Sequence, residues 1–288
     1  MIRIAGIQMA CGEVKRKNID RAVRLVGLAA ERGARIICLQ ELFSTHWFPR
    51  GINKESFELA ESLNGPTFEA MQPLAREKEV VLICPIFEKE GEDVFYNSAV
   101  VIDAGGKILG VYRKVHIPQI PLWEEKSYFS PGDKGFPVFH TAYGRVGVQI
   151  CWDNFFPEGT RCLALGGAQI VFSPTAAAFA SQERWRTMIS ANAMANGIFI
   201  MRVNRVGSEE RQDFYGRSFC VGPEGELIGS PSGIKEGILF ADVDPREIAR
   251  YRREYPFLCD RRPKTYKQIS NPAYAGPQMS GEEMVTPG

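Results

Sequence analysis

Apolar and polar positions along the chain switch repeatedly between a period of two and a period near 3.6. The run Ile2–Gln8 predicts a strand, an amphipathic helix follows near Ile19–Arg32, and Ile36–Gln40 predicts the next strand. Pro66–Glu79 predicts a helix kinked at Pro73, leading into a strand over Val80–Cys84. A hairpin reads from Asn97–Asp103 through Ala104-Gly105-Gly106 to Ile108–Tyr112. The alternation then resumes, with a strand at Arg145–Cys151, a helix at Glu158–Leu165 and a strand at Ala168–Phe172. A helix at Glu183–Asn196 and a strand at Ile198–Val203 follow. Strands near Ser218–Val221 and Gly237–Val243 flank the turn-rich Gly222-Pro223-Glu224-Gly225-Glu226, a turn and not a phosphate-binding loop. Such alternation predicts an α/β protein with helices outside a sheet system.

Three chemically capable residues fall at the ends of predicted strands. Val146, Val148 and Ile150 lead to Cys151, and Pro157-Glu158 opens the next helix. Strand-to-helix corners at the carboxyl ends of α/β sheets are where such folds place ligands. A lone cysteine there is more commonly a small buried core residue than a nucleophile. Glu41 follows the apolar run Ile36–Leu39, and Lys114 follows the hairpin strand within Tyr112-Arg113-Lys114-Val115-His116-Ile117-Pro118. Taken singly, the plain readings are a helix-entry glutamate and a solvated lysine.

Composition narrows the class. The 288 residues are 44% hydrophobic and 24% charged with net charge +1, a balance that speaks against nucleic acid or an anionic membrane as partner. The cluster Arg250, Arg252, Arg253, Arg261, Arg262 and Lys264 reads as a solvated or interface-lining segment. Seven cysteines without tight pairing, no signal-peptide pattern after Met1 and no bilayer-length apolar stretch predict a cytoplasmic setting with free thiols. His46, His116 and His140 are far apart and no metal-ligand spacing occurs, so no metal is expected. Length alone allows one large domain or two small ones. Composition shifts only near residue 270, which predicts one domain over 1–269. A Pro/Gly/Ser-rich tail over 270–288 is expected to be mobile or ordered against a partner chain.

Together the motifs resemble the nitrilase, or carbon–nitrogen hydrolase, superfamily. They are Gln40-Glu41, Tyr112-Arg113-Lys114-x-His116-Ile117-Pro118, and Cys151-Trp152-Asp153 with Pro157-Glu158. Trp123-Glu124-Glu125-Lys126-Ser127-Tyr128-Phe129, Gly167-Ala168 through Ser173-Pro174-Thr175, and Asn204-Arg205-Val206-Gly207 extend the match from residue 2 to about 266. The resemblance implies a four-layer αββα sandwich and a Glu-Lys-Cys triad needing no cofactor. In it Glu41 is general base and acid, Lys114 stabilises the tetrahedral intermediate, and Cys151 is the nucleophile that forms a thioester. Glu125 corresponds to a second glutamate that positions substrate, with Glu124 beside it as the alternative. A homo-oligomer is also implied, and Tyr251–Tyr266 suits either crossing onto a partner or clasping its own chain.

Cys151-Trp152-Asp153 is similar to the amidase and carbamoyl-hydrolase branches, and most similar to the N-carbamoylputrescine amidase-like branch, which releases ammonia. The acidic insertion of that branch is absent from the uncharged Pro174-Thr175-Ala176-Ala177-Ala178-Phe179-Ala180-Ser181-Gln182, which counts against a diamine end. Asn154, Phe155 and Phe156 replace the arginines that hold a carboxylate in N-carbamoyl-D-amino acid hydrolases. The expected substrate-binding residues are Trp152, Trp123, Phe155, Thr175 and Ala176, with Trp47, Phe48 and Phe179 as further apolar candidates. They point to a small amide, ureide or nitrile. A nitrilase is the enzymatic alternative, and a regulatory or scaffold protein keeping the fold is the non-enzymatic one. Redox sensing is a third, though no resolving cysteine stands beside Cys151.

Overall fold

The structure, a computed structural model, describes residues 1–178 and 181–271. In chain order it contains β1 (Ile2–Gln8), α1 (Lys15–Glu31), β2 (Ile36–Leu39), α2 (Pro66–Lys78), β3 (Val81–Lys89), β4 (Phe95–Ile102) and β5 (Ile108–Arg113). There follow β6 (Phe139–Thr141), β7 (Gly144–Val148), α3 (Pro157–Leu165), β8 (Ile170–Thr175), α4 (Gln182–Asn196) and β9 (Phe199–Asn204). The chain closes with β10 (Val206–Glu209), β11 (Gln212–Tyr215), β12 (Phe219–Val221), β13 (Gly237–Val243) and α5 (Pro245–Glu254).

One sheet has the order β13-β1-β2-β3-β4-β5 and the other β12-β9-β8-β7-β6. Each is parallel at its centre, β1-β2-β3 and β7-β8-β9, and antiparallel at its edges. The period of two explains why the sheets stack. Along β1 and β2, Ile4, Ile36 and Cys38 join Val148, Phe172, Met201 and Val203 of the second sheet in one core. The alternate positions Ala5, Ile7, Ile37 and Leu39 face the other way, onto Ala22, Val26 and Ala29 of α1 and Phe68 and Met71 of α2. Leu163, Ile189 and Ala193 of α3 and α4 cover the outer side of the second sheet, completing the αββα order. Gly6 lets the sheets pack closely at this point, since a Cβ there would stand 2.7 Å from Val203 Cγ2.

Several boundaries move. The helix runs through Pro73 without ending, its start set by Pro66 in the first turn and its end by Glu79 in a left-handed conformation. The strand predicted over Arg145–Cys151 stops at Val148, and Cys151 instead opens a single-turn 3-10 helix, Cys151–Phe155. β6, β10, β11 and α5 have no counterpart in the sequence reading. The first three are short and mostly polar; α5 was signalled by Asp244-Pro245, where the Asp244 side chain caps the Arg246 N–H. Of the expected tail, residues 272–288 lie outside the described residues. No described helix is long and apolar enough to cross a membrane.

Candidate active site

Four chain segments converge on a buried charged cluster. Glu41 leaves β2 in a turn where Leu42 adopts φ 50°, a left-handed conformation that costs a leucine about 1–2 kcal/mol. Buried Arg205, just past β9, holds that turn by donating to the backbone oxygens of Glu41 (3.2 Å), Leu42 (2.8 Å) and Thr45 (3.1 Å). Glu209 pairs with the same guanidinium at 2.8 Å. Lys114 follows β5, its N–H donating to the Asn97 carbonyl at 2.8 Å. Its Nζ donates to Glu41 Oε1 at 2.8 Å and to Glu125 Oε2 at 2.6 Å. Asn97 Nδ2, from β4, donates to Glu41 Oε1 at 2.8 Å and reaches Glu125 Oε2 at 3.5 Å. All four side chains are fully buried. Of the adjacent glutamates, Glu125 is the one whose carboxylate meets Lys114; Glu124 accepts from the Leu122 N–H instead.

Two carboxylates facing one ammonium leave the cluster short of positive charge. Burial and the neighbouring Glu41 push Glu125 up to about 7, against the opposing pull of Lys114. For Lys114 burial works downward, but Glu125 and Glu41 outweigh it and hold the ammonium charged, above its ordinary value. Glu41 Oε2, Glu125 Oε1 and Asn97 Oδ1 have no partner among the described residues, so the cluster offers unfilled acceptors.

Cys151 begins its 3-10 turn at φ 47°, a strained conformation for a side chain other than glycine. Asp153, two residues on, fixes the turn. Its Oδ2 accepts from the Ile150 N–H at 2.9 Å and from Tyr112 Oη at 2.6 Å. Its Oδ1 accepts from the His116 N–H at 2.9 Å and lies 2.8 Å from His116 Nδ1. Tyr112 and His116 flank Lys114, so one carboxylate ties the lysine segment of the first sheet to the cysteine turn of the second. Asn154 Nδ2 donates to the Cys151 carbonyl at 2.8 Å and completes the clamp. Burial first, and then the charge of Glu41, raise the Cys151 thiol well above its ordinary value; Lys114 and the Ala176 N–H pull the other way. Both leading causes favour the thiol over the thiolate.

Cys151 lines a cavity of about 210 Å³ whose walls include Trp123, Trp152, Phe155, Ala176 and Trp185, with Arg184 as its charged member. Four of the five expected binding residues are among them. Thr175 is not: it is buried, and its hydroxyl donates to the Ser173 carbonyl at 3.0 Å. Trp47 and Phe48 do not line the cavity but belong to a buried aromatic cluster that shares Trp123 and Ala176 with its wall, and Phe179 lies outside the described residues. Among the described residues no group of three His, Cys, Asp or Glu could hold a metal ion.

The profile of the carbon-nitrogen hydrolase family matches residues 3–253. The chain belongs to the carbon–nitrogen hydrolase family. It is 40% identical over 285 residues to the N-carbamoylputrescine amidase of Solanum lycopersicum, covering 93% of this chain and 95% of that one. The crystal structure of a carbon-nitrogen hydrolase from Helicobacter pylori G27 is 35% identical and superimposes with TM-score 0.91 over 94% of this chain and 99% of that one. An amidase from Nesterenkonia sp. AN1, 27% identical with TM-score 0.79, covers 93% and 96% of the two chains. Its structure carries the acetamide moiety of fluoroacetamide covalently added at the active-site cysteine.

The arrangement holds a thiol, buried carboxylates and a fixed ammonium, groups able to act as nucleophile, proton acceptor and stabiliser of negative charge. Sequence reasoning missed Asn97, although a polar Asn97-Ser98 pair inside the apolar run of β4 marked a buried polar position. It also missed that His116 and Asp153, both within quoted motifs, meet each other. Trp185 and Arg184 carried no signal, because the face that α4 turns to the cavity follows from packing.

Proposed function

We propose that this carbon–nitrogen hydrolase is an amidase or N-carbamoyl amidase in which Glu41, Lys114 and Cys151 perform catalysis and Glu125 positions substrate. The observation that carries the reading is the buried Glu41–Lys114–Glu125 cluster beside the Cys151 cavity. Because the thiol is held protonated, attack must be coupled to proton transfer. Glu41 takes the proton as sulfur bonds to the carbonyl carbon, and Lys114 stabilises the oxyanion. Glu41 then returns the proton to the departing nitrogen, the C–N bond breaks, and a thioester remains. A water deprotonated by Glu41 or Glu125 attacks that thioester and frees Cys151. With a ureide, loss of ammonia leaves an S-carbamoyl enzyme, whose hydrolysis yields a carbamic acid that breaks down to carbon dioxide and an amine.

The proposal includes a homo-oligomer. Tyr255, Phe257, Tyr266 and Ile269 are 41–65% exposed along the segment after α5, apolar surface suited to a second copy of the chain. The test is ammonia release from a simple amide, a ureide and a nitrile by wild type and Cys151→Ala, with assembly mass measured by light scattering on both. Release from amide or ureide, lost in Cys151→Ala while an assembly larger than one chain persists, is the expected result. Equal activity in the variant would sink the triad, and a monomer would sink the assembly.

A further inference from the structure

The cavity has a charge asymmetry that its apolar walls conceal. Among the described residues its lining contains no acidic residue, and its charged member is Arg184, exposed on the first turn of α4. Arg184 has no carboxylate partner among the described residues, and Glu183 beside it does not line the cavity. A second observation lies behind the wall. Arg202, on β9, is fully buried, its guanidinium carbon 4.7 Å from the ring centre of Trp185. One Arg202 nitrogen donates to Tyr215 Oη at 3.0 Å, while Nε and Nη1 have no partner among the described residues. An arginine stays charged even in that setting, so a buried positive charge without a counter-ion stands on the far side of a cavity wall. The chain between Ala176 and Gln182 adds no charge of either sign.

We infer that the outer part of the cavity is an anion subsite. Its substrate carries the scissile amide or ureide at Cys151, a short apolar spacer along Trp123, Phe155 and Trp185, and a carboxylate that pairs with Arg184. This rests on the reading that C–N cleavage occurs at Cys151. The substrate class is thus an N-carbamoyl or amide derivative of a small amino acid. An ammonium at the same end would find no carboxylate and would meet Arg184 as a like charge. The cation arrives from α4, not from the residues after the cysteine, where Asn154, Phe155 and Phe156 leave nothing to hold a carboxylate.

Three ureides of matched length test the subsite: N-carbamoyl-γ-aminobutyrate (anion), N-butylurea (neutral) and N-carbamoylputrescine (cation). The expected order of kcat/KM is anion, neutral, cation, and the anion's advantage shrinks as salt is added. In Arg184→Ala the anion-to-neutral ratio of kcat/KM falls by about tenfold, mostly through KM, and Arg184→Lys restores part of it. Arg184→Glu moves the preference to the cation. A wild type that prefers the cation to the neutral ureide, or an unchanged ratio in Arg184→Ala, overturns the subsite. Calorimetric binding of the three compounds to Cys151→Ala separates this from failure of the reaction. If none is hydrolysed, tighter binding of the anion than of N-butylurea still supports the subsite, and weaker binding rejects it.

Discussion

The charged base of the site, Glu41, Lys114, Glu125 and Asn97, is fully buried with three polar atoms lacking partners among the described residues, whereas the walls of the cavity that Cys151 lines include Trp123, Trp152, Phe155 and Trp185. Burial has opposite consequences for stability in the two regions. The walls gain from burial, since aromatic side chains remove large apolar areas from water; Phe155 meets Trp185 edge-on at 4.7 Å between ring centres and Trp152 at 5.5 Å. The base loses, because each buried charge gives up hydration that only its partners replace. Such a cluster persists because the surrounding core over-determines it, and its unfilled acceptors are what a reaction can use.

The contrast is broken most severely by removing the cation that both carboxylates share. Lys114→Met should abolish amide hydrolysis and lower unfolding free energy by about 3–5 kcal/mol, since breaking a buried pair leaves uncompensated charge. Denaturant unfolding checks this, and a stability equal to wild type would mean that the carboxylates simply take up protons. A smaller effect concerns pH. Glu125 sits at about 7, above the ordinary glutamate range, so it loses its proton as pH rises through neutrality. If the ionised cluster accepts the thiol proton, as proposed above, kcat/KM should rise with pH along a limb centred near that value. Glu125→Gln removes the group that titrates there and should abolish the limb; an unmoved limb would assign it to another group. The smallest effect is expected just outside the cavity. Thr175→Val removes one hydrogen bond, to the Ser173 carbonyl, and should cost about 1 kcal/mol of stability with little change in kcat/KM.

The base and the walls also differ in how legible they were. Glu41, Lys114 and Cys151 each fall at or just after a predicted strand end, yet singly each read as an ordinary residue, and only their motifs together carried the resemblance. Glu125 came from the resemblance alone, as Glu124 is its chemical twin; only the 2.6 Å approach to Lys114 separates them. The placement of Cys151 on a strand was wrong by one local event. Asp153 draws the chain into a turn by accepting the Ile150 N–H, and that bond depends on Tyr112 and His116 arriving from the other sheet. Thr175, expected at the binding site, does not line the cavity. It extends β8 beyond the predicted end and is buried there, leaving the cavity to Ala176.

The sequence by itself determined an α/β alternation with helices outside a sheet system, through strand and helix periodicities whose apolar faces had to be covered, and the residue types able to do chemistry; the four-layer order came only with the family resemblance. Tertiary structure alone decided which charges meet: Glu41, Asn97, Lys114 and Glu125 come from four separate segments, and their proton affinities follow from distance and burial. It alone also decided that Arg184 and Arg202 flank an otherwise apolar cavity. Periodicity records which face of an element is buried, a local property of the chain; the field inside a cavity sums charges brought together from distant segments by packing.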